Sequence, residues 1–214
     1  MAYSSNVVAL TARTKKRPSI ENGKVPPLCR KNSELRSREY LTSSEVDKLC
    51  TAARKVGRHG HRDSTLIMTA FRHGLRVSEL VALRWESVDL RQGLLHVSRI
   101  KNGVNSTHPL RRPELRALRK LKKDHPETPY VFVTERKGPL TASNVRKIVS
   151  RAGENTELGM PIHPHMLRHS TGFYLANDGH DTRAIQLYLG HKNIQHTVLY
   201  TELAPNRFKD LWKD

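Results

Sequence analysis

Four short stretches of the chain carry side chains suited to a phosphodiester. Gly74-Leu75-Arg76-Val77-Ser78-Glu79-Leu80 sets an arginine at the start of a helix, and Lys101-Asn102-Gly103 puts a lysine at a hairpin tip. His165-Met166-Leu167-Arg168 places a histidine and an arginine at i and i+3, on one helical face. Leu189-Gly190-His191 precedes Tyr200 by nine residues, across one short helix. Two arginines, a lysine, two histidines and a tyrosine form a set for phosphoryl transfer without a metal. In that transition state negative charge gathers on the nonbridging oxygens, which guanidinium groups hold bidentately. A tyrosine hydroxyl titrates near pH ~10, so as a nucleophile it needs a base or a positive field. A leaving 5′-oxygen needs a proton, which a lysine on a flexible hairpin can deliver. Taken singly, each element has a plainer reading: Arg76 as the ion-pair partner of Glu79, Lys101 as a solvated turn residue, Tyr200 as a core aromatic. Order and spacing together favour the chemistry.

The elements that must position these groups are mostly helical. Thr42 and Glu45 have capping-box spacing ahead of a helix to about Val56, and Gly74 stops a second helix over 62–73. A short helix follows from Val77 to Leu83. Leu94–Ile100 and Ser106–Leu110 flank Asn102-Gly103 and predict a β-hairpin with a tight turn. Pro113 opens a basic helix, Glu114–Lys123; Tyr130–Val133 reads as a short strand; a helix covers Thr141–Ala152. Pro164 opens a helix over 164–177, Asp181 or Thr182 caps one that Gly190 stops after Leu189, and short helices at 193–201 and 206–212 end the chain. The expected fold is mainly α with a small antiparallel β-sheet, an α+β arrangement.

Composition narrows the partner. The chain has 214 residues and a formal net charge of +18. Such a charge points to a polyanion, nucleic acid before an anionic membrane. No apolar run approaches the ~20 residues of a membrane span, and no secretory leader is evident. Residues 1–38 hold nine basic and two acidic side chains with no helical or alternating period, which reads as a disordered basic arm including Lys15, Lys16 and Arg17. Residues 151–214 carry as many acids as bases, yet hold six of the twelve histidines, so a neutral, histidine-rich third follows a basic two-thirds. Arg111, Arg112, Arg116, Arg119, Lys120, Lys122 and Lys123 form a basic run that reads as contact to a DNA backbone rather than a merely solvated face.

Other candidates weigh less. Cys29 and Cys50 are too few for a disulfide framework. His163, His165 and His169 do not share one helical face and have no cysteine nearby, so no metal site is expected. His169 reads as a core or supporting residue. The rival tyrosines Tyr188 and Tyr174 sit at helical spacing with Leu189 and Leu175 neighbours and read as packing, as do Trp85 and Trp212.

Read together, HGLRVSEL, RIKNGVNSTHPL, HPHMLRHSTGFYLANDG, IQLYLGH and HTVLYTEL resemble the catalytic domain of tyrosine recombinases, the phage integrase family. The likeness spans about residues 39–203 and is greatest to short members that invert fimbrial promoter segments. It implies a catalytic domain over 39–214, with Arg76 and Arg168 clamping the scissile phosphate and Lys101 as general acid for the 5′-hydroxyl. His165 would assist proton transfer from the nucleophile, and His191 would hydrogen-bond the phosphate. Tyr200 would attack to form a 3′-phosphotyrosyl intermediate. Glu79 would orient the arginines, and His196 would serve for positioning at most. That intermediate conserves the bond energy, so neither a cofactor nor a metal is implied. The implied partner is double-stranded DNA with an inverted-repeat site, bound by a homotetramer that is a monomer or weak oligomer when free, and the implied location is the cytoplasm, on the nucleoid. Most family members carry a helical domain of about 100 residues ahead of the catalytic one; here the basic arm stands in that place. The segment after Tyr200, with Phe208, Leu211 and Trp212, is expected to pack on a neighbouring protomer. A topoisomerase IB-like relaxing enzyme and a silent DNA-binding relative are the alternatives.

Overall fold

A computed structural model describes residues 38–99 and 103–202. The basic arm with Lys15, Lys16 and Arg17, the hairpin-tip Lys101 and the terminal segment with Phe208, Leu211 and Trp212 lie outside the described residues.

Helix α1 (Ser43–Lys55) starts at a complete capping box: Thr42 N–H donates to Glu45 Oε2 at 2.8 Å, and Glu45 N–H donates to Thr42 Oγ1 at 3.4 Å. Val46, Leu49 and Ala53 then fall on one face and are buried. That face packs on α2 (Gly60–His73), which turns Leu66, Ile67 and Ala70 inward. Gly74 ends α2 with φ +56°, and a Cβ there would lie 2.4 Å from Leu189 Cδ2. A side chain at this position would therefore be strained and would also push the C-terminal helices away. The turn delivers Arg76 to the start of α3 (Val77–Val81).

Three short antiparallel strands follow in the order β1 (Val88–Asp89), β2 (Leu94–Val97) and β3 (Ser106–Pro109), with Val88 opposite Leu95 and Leu95 opposite His108. The basic helix α4 (Arg112–Asp124) buries Leu118 and Leu121; α5 (Ala142–Glu154), capped by Thr141, buries Val145, Ile148 and Val149. Helix α6 (Pro164–Asn177) starts on Pro164, whose fixed φ and missing N–H suit a first turn. Asp181 caps α7 (Thr182–Leu189) by accepting from the N–H groups of Arg183 and Ala184, and α8 (Gln195–Glu202) is the last described helix. The main core unites Leu49, Leu66, Ile67, Leu118, Val149 and Leu167 from α1, α2, α4, α5 and α6. A smaller cluster joins Ala176, Ile185, Leu189 and Tyr200 where α6, α7 and α8 meet. The expected fold class holds.

Three local readings change. Residues 130–133 are not a strand: Val131, Phe132 and Val133 are buried, but they bridge singly to two separate segments, Arg84 with Tyr130 and Val133 with Pro139. Pro129 and Pro139 have no N–H to extend either ladder. Helix α3 stops at Val81 rather than Leu83. Pairing of β2 with β3 ends at Val97 opposite Ser106, so Ser98 and Arg99 lie outside the ladder although the first strand was expected to run on to Ile100.

Candidate active site

The turns at the ends of α2 and α7 converge on α6. Arg168 projects from α6 into the core and is 2 % exposed. Its Nη1 donates to the Gly74 carbonyl and its Nη2 to the Leu189 carbonyl at 2.7 Å, so one guanidinium ties both turns together. Burial, then Arg76 and Arg99, lower its pKa to about 9. Arg76 is half-buried, and its Nη1 reaches Glu79 Oε1 at 2.8 Å while its N–H donates to Glu79 Oε2 at 2.9 Å. Burial tends to raise the Glu79 carboxyl, but the Arg76 N–H and the Arg99 and Arg76 guanidiniums outweigh it and hold it below the usual carboxylate range.

Arg99 is a residue that sequence reasoning missed. Its side chain is completely enclosed; Nη1 donates to Glu79 Oε2 at 2.8 Å, and Nη2 donates to the carbonyls of His73 at 3.2 Å and Tyr188 at 2.6 Å. Strand alternation held the signal, because Leu95, Val97 and Arg99 occupy every second position and all three are buried. Two guanidiniums therefore hold the Glu79 carboxylate, and Arg168 is close enough to feel the charges of all three, so the cluster carries an excess of positive charge suited to an anion.

Gly190, with φ +66°, turns the chain from α7 to His191, and a Cβ there would sit 2.7 Å from Arg99 Cγ. His191 is buried, and its Nδ1 lies 2.9 Å from Thr197 Oγ1. With the Thr197 hydroxyl donating, the imidazole keeps its proton on Nε2. An open recess of about 700 Å³ beside it is lined by Arg76, Gly103, Arg183, Gly190, His191 and His196. His196 is exposed, its ring 6.0 Å from that of His191.

Tyr200 is 5 % exposed, its ring 6.3 Å from the His191 ring and nearly parallel to it. Burial raises its phenol pKa, while Arg168 and Arg76 draw it down. Its Oη lies 2.9 Å from Nδ1 of His169. His165, expected at that place, stands one turn earlier at the surface with its ring edge-on to His169 at 4.4 Å. The rival tyrosines have other partners. Tyr188 donates to the Arg72 carbonyl at 2.8 Å and stacks on His108 at 3.8 Å. Tyr174 is 47 % exposed and edge-on to Phe71, not in the core. Arg76, Glu79, His165, Arg168, His191 and Tyr200 are thus gathered around α6; Lys101 lies outside the described residues. In the basic helix, Arg119 donates to the Leu90 carbonyl and Lys122 lies over the Trp85 ring, whereas Arg111, Arg112, Arg116, Lys120 and Lys123 are exposed. Among the described residues no cluster of His, Cys, Asp and Glu has the size to hold a metal, and no helix is long and apolar enough to cross a membrane.

Buried histidines give the fold an acid limit. Burial first, then neighbouring positive groups, lowers His108 to about 3, His169 to about 4 and His191 to about 3. In the unfolded chain each returns to about 6.5. Below that pH the unfolded state binds more protons, so stability falls as pH falls, by up to roughly 1.4 kcal/mol per pH unit for each histidine. Urea midpoints are expected to drop steadily from pH 7 to pH 5, and a flat profile over that range would contradict the neutral, buried assignment.

Comparisons with known proteins show the family and the fold. The model of the phage integrase family matches residues 39–207. The type 1 fimbriae regulatory protein FimB of Escherichia coli K12 is 42% identical over 182 residues, covering 83% of this chain and 90% of its own. Tyrosine recombinase XerC of Oceanobacillus iheyensis is 30% identical, over 81% of this chain and 59% of its own. The crystal structure of the XerH site-specific recombinase bound to difH substrate superposes with a TM-score of 0.67 at 21% identity, covering 81% of this chain and 53% of that one. Fold and matches define a tyrosine-type site-specific recombinase. The chain belongs to the phage integrase family.

Proposed function

We propose that Tyr200 cuts and rejoins duplex DNA through a covalent 3′-phosphotyrosyl intermediate. The observation that carries this reading is the placement of a buried tyrosine beside Arg168 and Arg76 with its hydroxyl on an imidazole. Arg76 and Arg168 hold the nonbridging oxygens of the scissile phosphate, and His191 adds its Nε2–H. Glu79 keeps Arg76 in place. Tyr200 Oη attacks phosphorus, His165 assists proton movement, and Lys101 protonates the departing 5′-oxygen. A 5′-hydroxyl from a partner strand then attacks the phosphotyrosine and releases Tyr200, with no nucleotide cofactor consumed. The catalytic domain covers residues 39–214, preceded by a basic arm at 1–38, and the protein acts in the cytoplasm on the nucleoid.

The charge of +18 and the substrate seen on the XerH relative support double-stranded DNA as the partner. Two protomers occupy inverted half-sites and four assemble for exchange, with the segment around Phe208, Leu211 and Trp212 packing on a neighbour. Inversion, excision and integration share this chemistry and differ in the arrangement of the two sites. Lys15, Lys16, Arg17 and the exposed bases of α4 grip the backbone. Replacing Arg112, Arg116 and Lys120 by glutamine is expected to make the dependence of log K on log salt shallower by about 0.9 for each phosphate no longer neutralised. An unchanged slope would remove α4 from the interface.

The test uses target duplexes selected by binding from a random-sequence pool, placed in inverted orientation on a supercoiled plasmid. Inverted segments without added nucleotide support the reading. Relaxation without recombinants would assign the chain to the topoisomerase IB-like class, and binding alone to the silent class.

A further inference from the structure

We propose that His169 is the base that takes the phenolic proton of Tyr200 during strand cleavage. This deepens the reading of Tyr200 as nucleophile and rests on it. Among the described residues, the hydrogen-bond partner of Tyr200 Oη is His169 Nδ1, at 2.9 Å. That is the separation a general base needs from the proton it removes. His165 meets the ring of His169 and not the phenol oxygen.

A second feature fixes the contact. Gly172 lies one turn beyond His169 on α6, and a Cβ there would come within 2.5 Å of Tyr200 Cδ2 and Cε2. The phenol ring therefore rests on bare helix backbone, in the space a side chain would occupy, and its hydroxyl meets His169 on the same helical face. Two neighbouring positions of one helix thus shape a seat for the ring and an acceptor for its proton.

The acceptor is in the correct form. Burial, then His165, lowers His169 to about 4; Arg168 and His163 act in the same sense, and Glu39 opposes them. The imidazole is neutral at physiological pH, and proton transfer to it requires the tautomer in which Nδ1 is free of a proton and accepts from Oη–H. In the forward step the Oη–H bond breaks and its proton passes to Nδ1. The oxygen's electron pair forms the bond to phosphorus, and the bond from phosphorus to the 5′-oxygen breaks, that oxygen taking a proton from the general acid. In religation the 5′-hydroxyl attacks, the phosphorus–Oη bond breaks, and Nδ1–H returns the proton to Oη.

The experiment follows single-turnover cleavage of a nicked target duplex that traps the covalent complex. His169→Ala removes base and contact together. His169→Asn offers an oxygen near the Nδ1 position and preserves the hydrogen bond without the basicity. Both variants are expected to cleave about 10²–10⁴-fold more slowly while shifting DNA in gels at wild-type concentrations. Placing 2,3,5-trifluorotyrosine at position 200, whose phenol ionises near neutral pH, is expected to restore most of the rate in both variants at pH 8, because the base is no longer needed. Wild-type cleavage by His169→Asn would show that the histidine only positions the hydroxyl and would overturn the proposal. Failure of the fluorinated residue to recover activity in that variant would overturn it as well. Tyr200→Phe keeps the two readings apart: a covalent band from that variant defeats the nucleophile assignment itself, whereas a silent Tyr200→Phe beside a fully active His169→Asn defeats only the base.

Discussion

Arg168→Met is expected to lower strand cleavage at saturating DNA by at least about 10³-fold and to destabilise the fold at the same time. Removing one preorganised donor from a developing oxyanion costs about 10²–10³ in rate, and Arg168 would supply two. Methionine fills much of the volume and keeps the core contacts of α6, but it abandons the Leu189 carbonyl and leaves the Gly74 carbonyl to Arg99 Nη1 at 3.3 Å. A buried acceptor left unpaired costs about 1–3 kcal/mol. Arg168→Lys separates charge from shape: it keeps a cation but not the planar fork, so it is expected to regain part of the stability and little of the rate. Single-turnover cleavage and urea midpoints measured on the same preparations check both effects. A lysine variant with wild-type cleavage would mean that the phosphate needs only a point charge at this place.

Gly172→Ala is expected to slow cleavage far more than it disturbs the fold. Alanine is the better helix former by about 1 kcal/mol, so α6 itself does not suffer. The added methyl would stand 2.5 Å from the Tyr200 ring, so the ring must retreat by about 1 Å to reach ordinary contact. A displacement of that size in a reacting group costs about 10²-fold. Overpacking of a buried ring costs about 1–3 kcal/mol and offsets the helix gain, so the variant is expected to hold or modestly lower its urea midpoint, bind DNA as before and cleave about 10²-fold more slowly. Undiminished cleavage would place the nucleophile elsewhere.

Much of the site was legible because its residues are tied to helix ends, which local chemistry marks. Gly74, Pro164 and Gly190 announce where α2 stops, where α6 starts and where α7 stops, and Arg76, His165, Arg168 and His191 hang on those three points. The placement of these four side chains and the mainly helical fold were readable for that reason. What escaped depends on contacts between distant segments. His169 shares a helical face with His165, and nothing in its own neighbourhood says that Tyr200, 31 residues later, will place a hydroxyl on it. The buried set of His73, His108 and Glu114 joins α2, β3 and α4 across 35 and 41 residues, and each member alone looks like an ordinary polar residue. Val131-Phe132-Val133 has the composition of a strand, but buried apolar residues with prolines beside them settle into a core without a ladder. Arg99 lies between these cases: the alternation from Leu95 put it on the inner face, and its charge disguised the fact until Glu79 and the carbonyls of His73 and Tyr188 were seen around it.

The central claim is that Tyr200 is the residue that bonds covalently to the DNA. The most direct measurement digests the protein–DNA complex trapped on a nicked target duplex and locates the residue that carries the nucleotide by mass spectrometry. One modified peptide, spanning Gln195–Glu202, is expected, with the DNA 3′-phosphate on Tyr200 and no trapped complex from Tyr200→Phe. A nucleotide on Tyr188, on Tyr174 or on a serine, or a covalent band persisting in Tyr200→Phe, would contradict it.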